Sequence, residues 1–130
     1  MLRILIISNP NTGLAEIMSG YLRFYGGKKL HVLISGKNLI IHPLAEQVLN
    51  EDGIDFEPSK KTSDQINPDI TIYINKEPTD ELVRSLQTKF YTFPNPLQSS
   101  DYDEILSAYR SVREEIKKEC IEIVGELQDA

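Results

Sequence analysis

Leu2-Arg3-Ile4-Leu5-Ile6-Ile7, then Ser8-Asn9-Pro10-Asn11-Thr12-Gly13, then Leu14-Ala15-Glu16-Ile17-Met18 is the stretch that decides the fold. The first six residues form a short, isoleucine-rich and nearly continuous apolar run, the pattern of a strand buried on both faces of a parallel sheet. The run stops at a cluster of turn-forming residues. From Leu14 the apolar residues Leu14, Met18, Tyr21, Leu22 and Tyr25 recur at helical spacing until Gly26-Gly27 ends them. Strand, tight loop and helix in succession open a βαβ unit.

The alternation continues down the chain. A strand is predicted at Leu30 to Ile34, followed by a helix from Pro43 to Asp52, with Pro43 in its first turn and Gly53 at the C′ position. A third strand, Ile70 to Ile74, leads through Pro78 and a Thr79 N-cap to a helix around Asp80 to Leu86. Lys89 to Phe93 reads as the last strand. Asp101-x-x-Glu104 reads as a capping box opening a long helix in which Ile105, Tyr109, Val112, Ile116, Cys120, Ile123 and Leu127 share one face. Strands alternating with helices imply an α/β fold, a parallel sheet covered on both faces. No internal repeat or low-complexity tract interrupts the pattern.

At 130 residues, 40% hydrophobic and 26% charged, the chain has the balance of one globular domain spanning residues 1–130. Its apolar runs fall far short of the roughly 18 to 20 residues that cross a bilayer, so a soluble protein without membrane contact or cleaved signal is expected. Cys120 is the only cysteine, which excludes an internal disulfide, a cysteine-based zinc site and a dithiol relay within the chain, and fits a reducing cytoplasm. A formal charge of −6, with basic residues scattered among acids, argues against nucleic-acid binding. No cofactor and no metal is expected.

In parallel α/β sheets, ligands bind outside the C-terminal strand ends. The loop from Ser8 to Gly13 lies at that edge and enters a helix N-terminus, whose N–H groups favour anions. Position nominates Ser8, Asn9, Asn11, Thr12 and Gly13 as ligand-binding candidates. Every βα loop of such a sheet shares the location, so chemistry must decide.

Four segments in order, covering nearly the whole chain, resemble the family of low-molecular-weight tyrosine phosphatases and thioredoxin-coupled arsenate reductases. The first is the opening strand with Asn11-Thr12 and Leu14-Ala15-Glu16, similar to the family's Met-Ala-Glu. The second and most specific is Gly36 followed by His42-Pro43-x-Ala45-x-x-Val48-Leu49-x-Glu51-x-Gly53-Ile54-Asp55. Asp69-Ile70 resembles the family's Asp-x-Val-Ile. Phe93-Pro94-Asn95-Pro96, with Tyr109-Arg110-x-Val112-Arg113-x-Glu115-Ile116, resembles its Phe-x-Asp-Pro loop and terminal helix. The Phe-Pro-x-Pro form and the absence of tryptophan lean toward the arsenate reductase branch. The resemblance implies a three-layer, doubly wound, four-stranded parallel sheet in the order 2-1-3-4, with helices on both faces.

The resemblance also implies a catalytic loop of the form Cys-x5-Arg, in which a thiolate attacks phosphorus or arsenic and the arginine clamps two oxygens, and an aspartate that protonates the leaving group. Here Ser8 stands in the nucleophile's place. A serine hydroxyl does not ionise near neutral pH without a positioned base, whereas a thiol starts near pKa about 8.5 and is easily lowered. Five residues separate Ser8 from Leu14, fewer than in the family, and no Arg or Lys lies between Arg3 and Arg23. Loss of the guanidinium removes contacts roughly twice as strong as neutral hydrogen bonds. Asn95 replaces the acid and cannot supply a proton, a role worth about 10² to 10⁴ in rate. Ile34 stands where the family carries a serine, and no cysteine lies near Asn75 to act as the reductase relay.

Simpler roles compete with sharper ones at each position. Ser8 reads as a turn serine rather than a nucleophile, because the only histidines, His31 and His42, fall on a strand and at a helix start. Asn11 and Thr12 read equally as remnants of an anion nest or as turn formers. Cys120 reads as a buried core thiol, and Lys60-Lys61 beside Ser59 as a solvated loop. Tyr91 and Tyr102 flank the former acid loop and read as packing residues, with a phosphorylation or partner role as the alternative.

The expectation is therefore a non-catalytic member of this family, a binding or regulatory module for a small oxyanion or a protein partner, with Ser8 and Asn95 as degenerate equivalents of the catalytic pair. Two alternatives stand beside it. One is a weakly active phosphatase or arsenate reductase-type enzyme using Ser8, Asn11 and Asn95. The other is a structural protein that pairs as a homodimer.

Overall fold

Two sets of alternating side chains on four strands organise the computed structural model, which describes residues 2–8, 12–35, 41–56, 67–75 and 86–128. The strands are β1 (Leu2–Ser8), β2 (Leu30–Ile34), β3 (Ile70–Ile74) and β4 (Gln87–Tyr91). They form one sheet in the order β2-β1-β3-β4, every neighbouring pair parallel. Leu2 lies opposite Leu30, Ile4 opposite Ile70, and Ile70 opposite Gln87. This is the predicted sheet, and β2 and β3 have the predicted bounds.

Because side chains alternate along a strand, one face of the sheet carries Ile4, Ile6, Val32, Ile34, Ile70, Ile72 and Ile74, all in the main core cluster. That face meets three helices: α1 (Leu14–Gly26), α2 (Pro43–Glu51) and α3 (Tyr102–Gln128). On the second face Leu5, Leu33, Thr71 and Tyr73 are also buried, which explains why Ile4 to Ile6 and Val32 to Ile34 read as unbroken apolar runs. Thr71 Oγ1 is buried there with no hydrogen-bond partner among the described residues. The predicted helix at 80–86, with its Pro78 and Thr79 start, lies almost wholly outside the described residues.

Helix ends follow local chemistry. At the end of α2 the Gly53 N–H donates to Asn50 O (3.0 Å) and the Ile54 N–H to Leu49 O (3.1 Å), with Gly53 at φ 75. This is a Schellman motif, whose left-handed residue glycine adopts without steric cost. At the start of α3, Asp101 Oδ1 accepts from the Asp103 N–H (3.2 Å). The predicted reciprocal capping box is replaced by a relay through Ser99: its hydroxyl donates to Glu104, while its Oγ takes the Asp101 N–H (3.0 Å) that the box would have given to Glu104.

Between α2 and α3 lies a polar clasp. Glu51 accepts from Arg110 (2.6 Å) and Arg113 (2.7 Å), and Asp52 accepts from the Tyr21 hydroxyl (2.5 Å) and pairs with Lys117 (3.6 Å). The Arg110 hydrogen bond is the main influence holding the Glu51 carboxyl below the usual carboxylate range, and the Tyr21 hydroxyl does the same for Asp52. Glu51, Arg110 and Arg113 all belong to the stretches that carry the family resemblance, and here they join two helices.

Candidate functional site

The C-terminal ends of the strands converge on a small set of polar residues. Ser8 closes β1 and lies in register with Ile74, the last residue of β3. On its other side the Ser35 N–H donates to Ile6 O (2.9 Å) just beyond β2. Ser8 therefore stands at the middle of the sheet edge, as the sequence placed it. His31 pairs with Arg3 near the opposite end. Five residues at about 3.3 Å per residue put it roughly 17 Å from Ser8, too far to act as its base.

Thr12 and Gly13 lead into α1. Gly13 adopts φ 77, and a Cβ there would meet Ala45 Cβ at 2.6 Å. Only glycine satisfies both demands, the left-handed backbone and the close approach of α2. Gly13 O accepts from the Ile17 N–H (3.0 Å), so the residue caps α1 through its backbone alone. Asn9 and Asn11, the remaining loop candidates, lie outside the described residues, as do Gly36 and the Lys60-Lys61 pair.

The junction is braced from α2 and α3. Tyr109 is fully buried on α3, and its hydroxyl donates to Thr12 O (2.8 Å). The ring of His42 stacks on Tyr109 with centroids 5.3 Å apart and 26° between planes. His42 is also the N-cap of α2, its Nδ1 accepting from the Leu44 N–H (3.1 Å). One ring nitrogen and one ring face are thus committed to structure.

Asn75 anchors the other half of the edge. It follows β3 at φ 52, a left-handed conformation that asparagine tolerates better than most residues. Its Nδ2 donates to Phe93 O (2.9 Å) and its Oδ1 accepts from the Phe93 N–H (2.8 Å). Its own N–H donates to Tyr91 O (2.9 Å). This clamp shapes the loop after β4, and it accounts for one difference from the predicted boundaries. The last strand was expected at Lys89 to Phe93, whereas β4 ends at Tyr91 and Phe93 is held by a side chain. Stacking of Tyr91 on Phe93, with centroids 5.9 Å apart, packs the same turn.

Asn95, the candidate in the acid's place, is exposed, and its Oδ1 accepts from the Leu97 N–H (3.0 Å). The side chain builds an Asx turn. Ile34 is buried in the core at 4% exposure. Cys120 is likewise fully buried, its thiol against Met18 O and pushed well above the usual thiol range by burial. A thiol in that state is not an available nucleophile. Tyr102, by contrast, is largely exposed.

The described residues that form this edge (Ser8, Thr12, Gly13, Ser35, His42, Asn75 and the turn 92–98) include no arginine or lysine. Glu16, in the first turn of α1, is half-buried, and burial raises its carboxyl above the usual range, with its own backbone N–H acting in the opposite direction. Among the described residues no group of three His, Cys, Asp or Glu could hold a metal ion. No described helix is long and apolar enough to cross a membrane.

Sequence reasoning singled out Ser8, Thr12, Gly13 and Asn95, but missed Asn75, His42 and Tyr109 as organisers of the edge. An asparagine directly after a buried strand was a readable sign for the first. The other two depend on tertiary contacts that no local pattern encodes.

No protein-family model matches the sequence, and no curated protein matches it either. Solved structures do. An arsenate reductase in the reduced state aligns with a TM-score of 0.76 at 19% identity, over 97% of this chain and 98% of that one. The arsenate reductase from Archaeoglobus fulgidus DSM 4304 aligns at 0.67 with 18% identity, over 94% and 98%. A YwlE mutant from Bacillus subtilis aligns at 0.69 with 13% identity, over 98% and 99%. The chain thus carries, over most of its length, the parallel α/β fold of these solved structures, the fold that the sequence resemblance implied.

Proposed function

We propose that this chain is a non-catalytic relative of the low-molecular-weight phosphatases and arsenate reductases, a module that keeps the scaffold and offers its altered loop edge to a ligand or protein partner. The observation that carries this reading is Ser8 at the end of β1, where the family's thiolate would stand. A neutral hydroxyl there has neither the charge nor the nucleophilicity to open a phosphate or arsenate centre.

Supporting observations point the same way. Asn95 spends its side-chain oxygen on the Leu97 N–H, so even its position serves the turn. The loop from Ser8 to Gly13 carries no arginine or lysine to balance the charge that builds on a transferring oxyanion, a contribution that is commonly the largest in such reactions. Cys120 is buried and cannot substitute.

The test is an assay of the purified protein against an aryl phosphate, and against arsenate with thioredoxin. No turnover is expected in either. Turnover that disappears in Ser8→Ala would overturn the proposal. Thermal-shift titration with phosphate, sulfate and arsenate separates a binding module from a structural protein, since a ligand stabilises by RT ln(1 + [L]/Kd). No shift at tens of millimolar would leave only the protein-partner form of the proposal.

A further inference from the structure

The loop edge rests on a three-helix junction. α1 begins at Gly13, α2 begins at His42, and Tyr109 of α3 lies between them. Each contact constrains the same short backbone segment. Gly13 is wedged against Ala45, and the His42 Cβ lies 3.5 Å from where a Gly13 Cβ would stand. The His42 ring stacks on Tyr109, and the Tyr109 hydroxyl reaches the Thr12 carbonyl. Tyr109 and Thr12 are 97 residues apart in sequence, so the contact ties the loop's exit to the last helix.

We propose that Tyr109 is a positioning residue, a latch whose hydroxyl fixes the Thr12–Gly13 exit of the loop so that the edge holds one shape with no ligand bound. The inference rests on the reading of this loop as the inherited binding edge, and it adds what sets its conformation. A hydroxyl on a fully buried ring has little freedom, and its hydrogen bond to a backbone carbonyl restrains that carbonyl directly. The ring alone would pack against His42 equally well. The hydroxyl is what reaches the loop.

Backbone order parameters from amide NMR relaxation of the full chain test the latch, comparing the unaltered protein with Tyr109→Phe and Tyr21→Phe. Both variants remove one phenolic hydroxyl from a ring that is otherwise kept. Tyr21 bonds Asp52 in the clasp and not the loop. In Tyr109→Phe the order parameters at Thr12 and Gly13 should fall from about 0.85 to below about 0.6, while those of β1 and β3 stay at about 0.85. Tyr21→Phe should leave Thr12 and Gly13 at about 0.85. Unchanged order at Thr12 and Gly13 in Tyr109→Phe overturns the latch, as does an equal fall over the whole chain. Either result leaves the absence of turnover unaffected, so failure of the latch and failure of the functional proposal are distinguishable.

Discussion

Replacing Asn75 by alanine tests whether a single side chain holds the loop after β4. Two hydrogen bonds to the Phe93 backbone are lost, each worth about 0.5 to 1.5 kcal/mol net. Alanine must also adopt φ 52, a left-handed conformation that costs a residue with Cβ about 1 to 2 kcal/mol. Together these give an expected loss of about 2 to 5 kcal/mol. Asn75→Gly separates the two contributions, because glycine adopts the backbone freely but makes neither side-chain bond. It should be about 1 kcal/mol more stable than the alanine variant. Urea denaturation provides the measurement, with a lower midpoint and an unchanged slope in each case. A loss below about 0.5 kcal/mol in Asn75→Ala would show that the side chain does not hold the loop, and equal stability of the two variants would show that the left-handed backbone costs alanine nothing.

Other expectations follow from the same geometry. Gly13→Ala combines left-handed strain with a clash against Ala45 Cβ at 2.6 Å and should cost about 2 to 4 kcal/mol by thermal or urea denaturation. Thr71→Val removes a buried hydroxyl with no described partner and should raise stability by up to about 1 kcal/mol, where a loss would reveal a bonded hydroxyl. The depressed Glu51 and Asp52 carboxyls contribute stability that is present above the unfolded carboxylate range and is lost as pH falls below about 4. Glu51→Gln should flatten that acid limb of a stability–pH curve. Glu16 acts in reverse, since its raised carboxyl binds a proton more readily when folded. Its contribution to stability should therefore grow as pH falls through its raised folded value and be complete below the unfolded carboxylate range, and Glu16→Gln should abolish that gain.

The legible and illegible parts of the molecule differ for physical reasons. β2 and β3 were legible to the residue because Leu30–Ile34 and Ile70–Ile74 are short runs rich in β-branched and apolar residues, broken only by the exposed His31 and the buried Thr71. β4 starts two residues before its predicted bound because Gln87 and Thr88 lie at the sheet edge and carry no hydrophobic signal, while Phe93 looks like strand but is anchored by Asn75. Gly53 was legible because its left-handed turn needs glycine, and the place of His42 at a helix start because Pro43 marks the first turn after it; that the imidazole itself caps the helix was not, because it has no strong sequence signature. Ser8 and Asn95 could be placed by resemblance. Their surroundings could not, since the bonds that organise the edge link residues 18 and 97 positions apart.

A loop edge with a serine hydroxyl and an asparagine turn is expected not to carry out oxyanion transfer. In a single-turnover reaction, with the purified protein in excess over an aryl phosphate, even one slow chemical event per molecule becomes visible. Product should form no faster with the unaltered protein than with Ser8→Ala. Release of phenol by the unaltered protein above that control would show the edge to be catalytic.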